Sequence, residues 1–322
     1  MLNFYQVVGV LLACAMHGAI AQGYPSKAIR IVVPASTGSG VDTMGRMLAR
    51  ELSSRLGQAA IVENMPGAGG NIATVNVARS AADGHTLLFQ FTPFVINPSL
   101  YRKAGYDPVR DFEALILVAQ GGHGMFAVNA STPRLNSVSD LVALSKAKPG
   151  QLNYATPGYG TPPHLQVEIF KRMSGADLTH VPYKTTGDAI NAILTGDVIV
   201  SALAAQVAIP QAKSGKLRIL ASTGQKRWVD TPDVPTLAEA GYPEFKFEVW
   251  YGFLAPAGTP GEIVRKLNAQ FAEILTAPAM KDALYKQGQI AMTSTPEEFA
   301  ATIKADQAYW ARVIKETGIS IE

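Results

Sequence analysis

Short runs of branched and aromatic residues alternate along this chain with segments whose apolar side chains recur every third or fourth position. The runs Ile29 to Val33, Ala60 to Glu63, Thr86 to Phe91, Leu152 to Thr156, Asp177 to Tyr183, Val198 to Leu203 and Leu217 to Ala221 predict strands. After the first of them, Val41, Met44, Leu48, Leu52 and Leu56 lie at helical spacing and predict a helix with one core-facing stripe. Ser137 and Asp140 open a further helix as a capping box that closes at Pro149-Gly150, and Thr161 with Pro162 opens another. Near the C-terminus, Ile263, Leu267, Phe271 and Ile274 mark one amphipathic helix. A second starts at a Thr295 cap with Pro296 and Glu298 and carries Phe299, Ile303, Trp310 and Val313. Alternation of this kind predicts an α/β protein built on parallel sheets.

Two segments break the rhythm. Between Phe112 and Val128 two apolar runs are joined by Gly121-Gly122, and Phe247 to Ala255 reads FEVWYGFLA. Each looks like a strand that leaves one sheet and enters another. Two such crossings predict a two-lobed, hinged architecture, with residues 22–124 and 250–322 in one lobe and 125–249 in the other.

The first 21 residues fall outside this pattern. Val7 to Ala15 is apolar and Ala19-Ile20-Ala21 presents small residues of the kind a signal peptidase reads, so the expectation is a cleaved signal peptide, Gln22 as the mature N-terminus and a periplasmic location. No Lys or Arg precedes the apolar run, an unusual feature for such a leader. The run is shorter than the ~20 residues that cross a bilayer. Cys14, the only cysteine, follows Leu11-Leu12-Ala13 in a loose likeness of a lipoprotein box, and without it the mature chain has no disulfide or thiol chemistry. The net charge of +3 is spread along the chain with no basic run, which suits a small anionic ligand and not a nucleic acid.

Candidate chemistry lies in the turns. Pro34 to Asp42, PASTGSGVD, precedes a helix start, where unpaired N–H groups and the macrodipole favour an anion. Ser36, Ser39 and the Gly40 and Val41 amides are the candidate cradle, and Asp42 is the expected helix cap, with Ser39 as the other. Met65 to Asn71, MPGAGGN, has neither a full dinucleotide fingerprint nor a Lys-Ser/Thr pair, and reads as a tight turn behind the site. Thr92 and Phe94 follow a strand end, where open α/β sheets place ligand loops; Thr92 offers a hydroxyl and Phe94 either an apolar cover or a core packing residue. In Tyr154 to His164, YATPGYGTPPH, Gly158, Tyr159, Gly160 and Thr161 bring amides, a phenol and a hydroxyl to another helix start, where Thr161 is also a cap candidate. His164 and Glu168 share a helix face but have no third metal ligand at readable spacing. There is no G-x-S-x-G elbow, no H-E-x-x-H and no assignable nucleophile and base, so a cleft hydrolase is only an alternative.

Ten ordered segments, among them PASTGSGVDTMGRMLARELSSRLGQ, VENMPGAGGN, ADGHTLL, YATPGYGTPPH, HVPYK, DVPTLAEAGYP and WYGFLAPAGTP, resemble the Bug-type extracytoplasmic solute-binding proteins of tripartite tricarboxylate transporters. The resemblance runs from about Tyr24 to the C-terminus. It implies a type II-like periplasmic-binding-protein fold closing over a small organic carboxylate without metal or cofactor. The implied protein partners are membrane transporter subunits or a sensor kinase, and the implied chain is a monomer. The family's contact loops map onto Ser36 to Val41, Thr92 to Phe94, Gly158 to Thr161 and the strand end at Leu203. At that last position the family commonly has the Asp of Met-Phe-Asp, whereas this chain reads Ser201-Ala202-Leu203. The missing acid, with Phe94 nearby, leads to the expectation of an apolar or aromatic carboxylate lacking an amino group.

Overall fold

The computed structural model describes residues 23–121, 124–245 and 247–318. The expected leader, with Cys14, lies outside the described residues, as does Gly122 of the diglycine. The first part of the chain runs through β1 (Ile29–Val33), α1 (Gly40–Leu56), β2 (Ala60–Asn64), α2 (Asn71–Ala78), β3 (Thr86–Phe91), α3 (Pro93–Leu100) and β4 (Phe112–Gly121). Next come β5 (Gly124–Asn129), α4 (Val138–Ala147), β6 (Asn153–Thr156), α5 (Pro162–Ser174), β7 (Thr179–Pro182), α6 (Thr186–Thr195), β8 (Ser201–Ala204), α7 (Ala205–Lys213) and β9 (Leu217–Ser222). The chain then returns through β10 (Val249–Pro256) to α8 (Gly261–Thr276), α9 (Pro278–Lys286), β11 (Gln289–Ala291) and α10 (Pro296–Thr317).

These strands form two separate sheet systems, one in each lobe. The first lobe holds a six-stranded sheet in the order β11-β4-β10-β3-β1-β2. The second holds the sheet β8-β5-β9 and the pair β6-β7, tied together by a parallel bridge between Tyr154 and Val200. The expected crossings are β4 into β5 and the return through β10, and β4 and β10 pair antiparallel from Val249–Gly121 to Pro256–Phe112.

The expectation of parallel sheets needs correction. Only β2-β1-β3 and β6-β7 are parallel ladders, while β10, β11 and both partners of β5 run antiparallel. For β10 the cause is the crossing itself: a strand arriving from the other lobe enters the sheet from the opposite end and pairs without a helical crossover.

Apolar burial follows the same plan. Met44, Leu48 and Leu52 of α1 pack with Phe89, Phe253 and Phe271 on one face of the large sheet. On the other face, Phe94, Trp250, Phe299 and Trp310 belong to a cluster that continues through the crossings to Phe126, Tyr154 and Phe170 in the second lobe. At Gly252 the backbone of β10 passes so close to α10 that a Cβ would lie 2.2 Å from the Phe299 ring, so only glycine fits. Among the described residues no helix is long and apolar enough to cross a membrane.

Candidate ligand-binding cleft

The parallel strands β1 and β3 end on the same edge of the large sheet, and the first candidate loop leaves β1 there. Its shape is set by Asp42, buried at 2% exposure. The carboxylate accepts the Gly38 N–H at 2.8 Å and Asn64 Nδ2 at 2.9 Å, and pairs with Arg46 Nε at 2.9 Å. Burial alone would raise this carboxyl, but the hydrogen bonds from Arg46, Gly38 and Asn64 outweigh it and hold Asp42 below the usual carboxylate range.

The α1 cap is Ser39, not Asp42. Ser39 Oγ accepts the Asp42 N–H at 3.2 Å and its carbonyl accepts the Thr43 N–H at 2.9 Å. Asp42, three residues in, reaches back to the loop instead. With those two amides taken, the Gly40 and Val41 N–H groups remain without a partner among the described residues, at the positive end of a 17-residue helix. The Ser36 side chain is exposed beside them, and its carbonyl accepts the Ser39 N–H at 3.2 Å. MPGAGGN packs behind this loop, where a Cβ on Gly70 would meet Pro34 at 3.0 Å and one on Gly69 the Tyr101 hydroxyl at 2.6 Å.

Thr92 and Phe94 do not line the cleft. Thr92 Oγ1 donates to the Glu248 carbonyl at 3.2 Å and accepts the Trp250 N–H at 2.9 Å, which staples the end of β3 to the start of β10. Phe94 is fully buried on α3, stacked on Tyr106 with centroids 5.5 Å apart. The sequence expectation of a loop here failed because the segment is a short helix.

In the second lobe, β6 ends at Thr156 and the chain turns through Gly158, Tyr159, Gly160 and Thr161 into α5. Thr161 does not cap the helix with its side chain; its hydroxyl donates to the Gly158 carbonyl at 2.8 Å. The expected supply of free amides is smaller than the motif suggests, because the first two helical residues, Pro162 and Pro163, have no N–H. Two histidines brace the turn. His164 Nδ1 accepts the Gly160 N–H at 3.2 Å, and His180 Nε2 lies 2.6 Å from Thr156 Oγ1. Their rings are 4.4 Å apart, with Tyr159 edge-on to both. Burial pushes both rings down, His180 to about 4. Glu168 takes the Tyr154 hydroxyl at 2.6 Å and Lys171 Nζ at 2.7 Å, so the His164 and Glu168 pair is structural, and no metal-binding group of three is present among the described residues.

Leu203 is a further correction. It is 2% exposed and packs with Met125, Ala127 and Trp228 in the core of the second lobe. Because side chains alternate along β8, it is Ala202 and Ala204 that face the junction of the lobes. The case for an aromatic ligand, which rested on Leu203 and Phe94, falls with both placements.

At that junction is a pocket of about 130 Å³ whose lining sequence reading missed. The second lobe contributes Gly124, Pro162, Pro163, Gln166, Ala202, Ala204 and Gln206, and the first Val249, Tyr251 and Gln289. Pro162 and Pro163 directly follow the Gly158 to Thr161 turn, and Tyr251 stacks on Phe91 at the end of β3 with centroids 6.0 Å apart. The start of α7, where Ala204 is the N-cap residue and no side chain caps the helix, opens at the same place. Burial pushes the Tyr251 hydroxyl up to about 12, so it stays protonated.

Comparison with known proteins shows the family and the fold. Residues 44–319 match the family described as tripartite tricarboxylate transporter family receptor. The protein BugT of Bordetella pertussis is 35% identical over 326 residues, spanning 100% of this chain and 99% of its own length. The R. palustris protein Rpa4515, solved with adipate, is 33% identical with a TM-score of 0.82, covering 92% of this chain and 99% of that one. The periplasmic binding protein BugD is 32% identical with a TM-score of 0.81 over 93% of this chain and all of its own. MatC of Rhodopseudomonas palustris, with bound malate, is 30% identical with a TM-score of 0.79 over 90% of this chain and 100% of that one. This chain therefore belongs to the tripartite tricarboxylate transporter receptor family, as its ordered segments implied.

Proposed function

We propose that the chain is exported to the periplasm and captures a small organic carboxylate between its lobes, as a monomer that delivers the ligand to membrane transporter subunits without transforming it. The lobes are residues 22–124 with 250–322, and 125–249, hinged at the two crossings. The observation that carries this reading is the pair of unpartnered amides, Gly40 and Val41, at the positive end of α1 on the sheet edge where β1 and β3 terminate. The adipate and malate held by two relatives support the ligand class.

Thermal denaturation with a panel of mono-, di- and tricarboxylates tests it. A ligand present at 100 times its dissociation constant stabilises the folded protein by about 2.7 kcal/mol, which raises the melting temperature. A panel in which only neutral sugars or cations shift the transition rejects the proposal.

A further inference from the structure

The junction pocket has chemistry that binding a carboxylate alone does not use. Gln166 and Gln289 are 2% and 3% exposed, come from different lobes and both line it. Gln166 donates Nε2 to Thr223 Oγ1 at 3.3 Å, and Gln289 donates Nε2 to the Tyr251 hydroxyl oxygen at 3.5 Å. The carbonyl oxygen of each side chain has no hydrogen-bond partner among the described residues. Buried acceptors are rarely left unpaired, so the occupant of this pocket must bring a donor.

Beside these oxygens the first N–H groups of α7, which have no intrahelical partner, offer a place for a carboxylate. Among the described residues no Asp, Glu, Lys, Arg or His lines the pocket. A carboxylate has no proton to give to the glutamine oxygens. An ammonium group could donate, but it would be buried with no acidic partner. A hydroxyl donates without that cost. A hydroxyl on the carbon next to the carboxylate keeps both groups within this pocket of about 130 Å³.

We infer that the junction pocket selects a 2-hydroxycarboxylate, with its carboxylate at the start of α7 and its hydroxyl donating to the unpartnered oxygens of Gln166 and Gln289. This rests on the carboxylate-binding reading above and deepens it.

Calorimetric titration of matched sets decides it: lactate, propionate and alanine, then 2-hydroxyglutarate, glutarate and glutamate. In at least one set the hydroxy acid binds tenfold or more tighter than both its unsubstituted and its amino counterpart. Gln289→Met and Gln166→Met each bring the ratio of hydroxy to unsubstituted acid towards one. Equal affinity across each set, or an unchanged ratio in both folded variants, overturns the inference and leaves carboxylate capture standing. If a variant does not fold, the sets measured on the unmodified protein decide alone. If no carboxylate of any kind binds, the reading of the cleft falls, and the inference with it.

Discussion

His164 can accept the Gly160 N–H only while its Nδ1 carries no proton, and burial favours that neutral form. His180, beside it, is pushed down to about 4, first by burial and then by the repulsion of His164. A histidine depressed in the folded state binds its proton more readily when unfolded. Its contribution to stability is therefore complete above the unfolded value near 6.5 and is lost as pH falls from there towards 4. The expected slope is at most about 1.4 kcal/mol per pH unit for each ring. Replacing both by Asn should flatten that part of the curve of melting temperature against pH between 7 and 4.5; an unchanged curve would mean the rings do not brace the turn. At this scale the helix start at Ser39 and Gly40 was legible, because a capping serine and glycine-rich turn announce it. Sequence reading failed where facing decides. Val198 to Leu203 is apolar on both faces, so nothing in the sequence sets the phase that turns Leu203 inward and Ala202 and Ala204 outward. Gln166 and Gln289 are neutral and belong to no motif, so they gave no signal.

Helix caps offer a separate test at the level of elements. Ser39 caps α1 and Thr295 caps α10, the latter in a reciprocal box with Glu298. Each replacement by Ala should cost about 1 kcal/mol, a fall of about 2 °C in the melting temperature for a chain of this size. Of the two, only Ser39→Ala should also weaken carboxylate binding, because α1 starts at the candidate anion loop and α10 does not. Equal affinity in the two variants would place the ligand elsewhere. The long helices α1, α8 and α10 were legible because a single apolar stripe faces each core. By contrast α3, whose residues Pro93 to Asn97 are all buried, shows no stripe, and Pro98 disguises it further. α7 is nine residues long with Pro210 inside it, and α6 and α9 are comparably short. Short helices have too few turns for periodicity to declare them.

Across the whole molecule the lobes touch away from the crossings as well as at them. Trp228 stacks on Tyr285 of α9 with ring centroids 6.0 Å apart, and the Tyr285 hydroxyl donates to Asp230 at 3.0 Å. An aromatic pair of this kind contributes about 1 kcal/mol, so Tyr285→Ala should weaken ligand binding roughly fivefold by destabilising the closed form. Small-angle scattering should show a smaller radius of gyration with ligand than without in the unmodified protein. A radius indifferent to ligand would mean the lobes are fixed. The two-lobed plan was readable from two interrupted apolar segments, whereas the direction of the strands was not, because pairing between segments more than a hundred residues apart leaves no local trace.

The position of β10 also bears on how the protein is made. It lies between β3 and β4, near the middle of the six-stranded sheet, yet it is the tenth of eleven strands along the chain. Until residues 249–256 are available, β3 and β4 have no partner between them and the first lobe stays unfinished, while every strand of the second lobe has already been synthesised. Assembly that depends on such distant pairing is slow. An unfinished first lobe during synthesis leaves the chain threadable, and its capacity to hold a ligand arises only when the last quarter of the polypeptide has arrived. Chains truncated before Val249 should accordingly remain sensitive to protease across residues 29–121, and the full chain should resist.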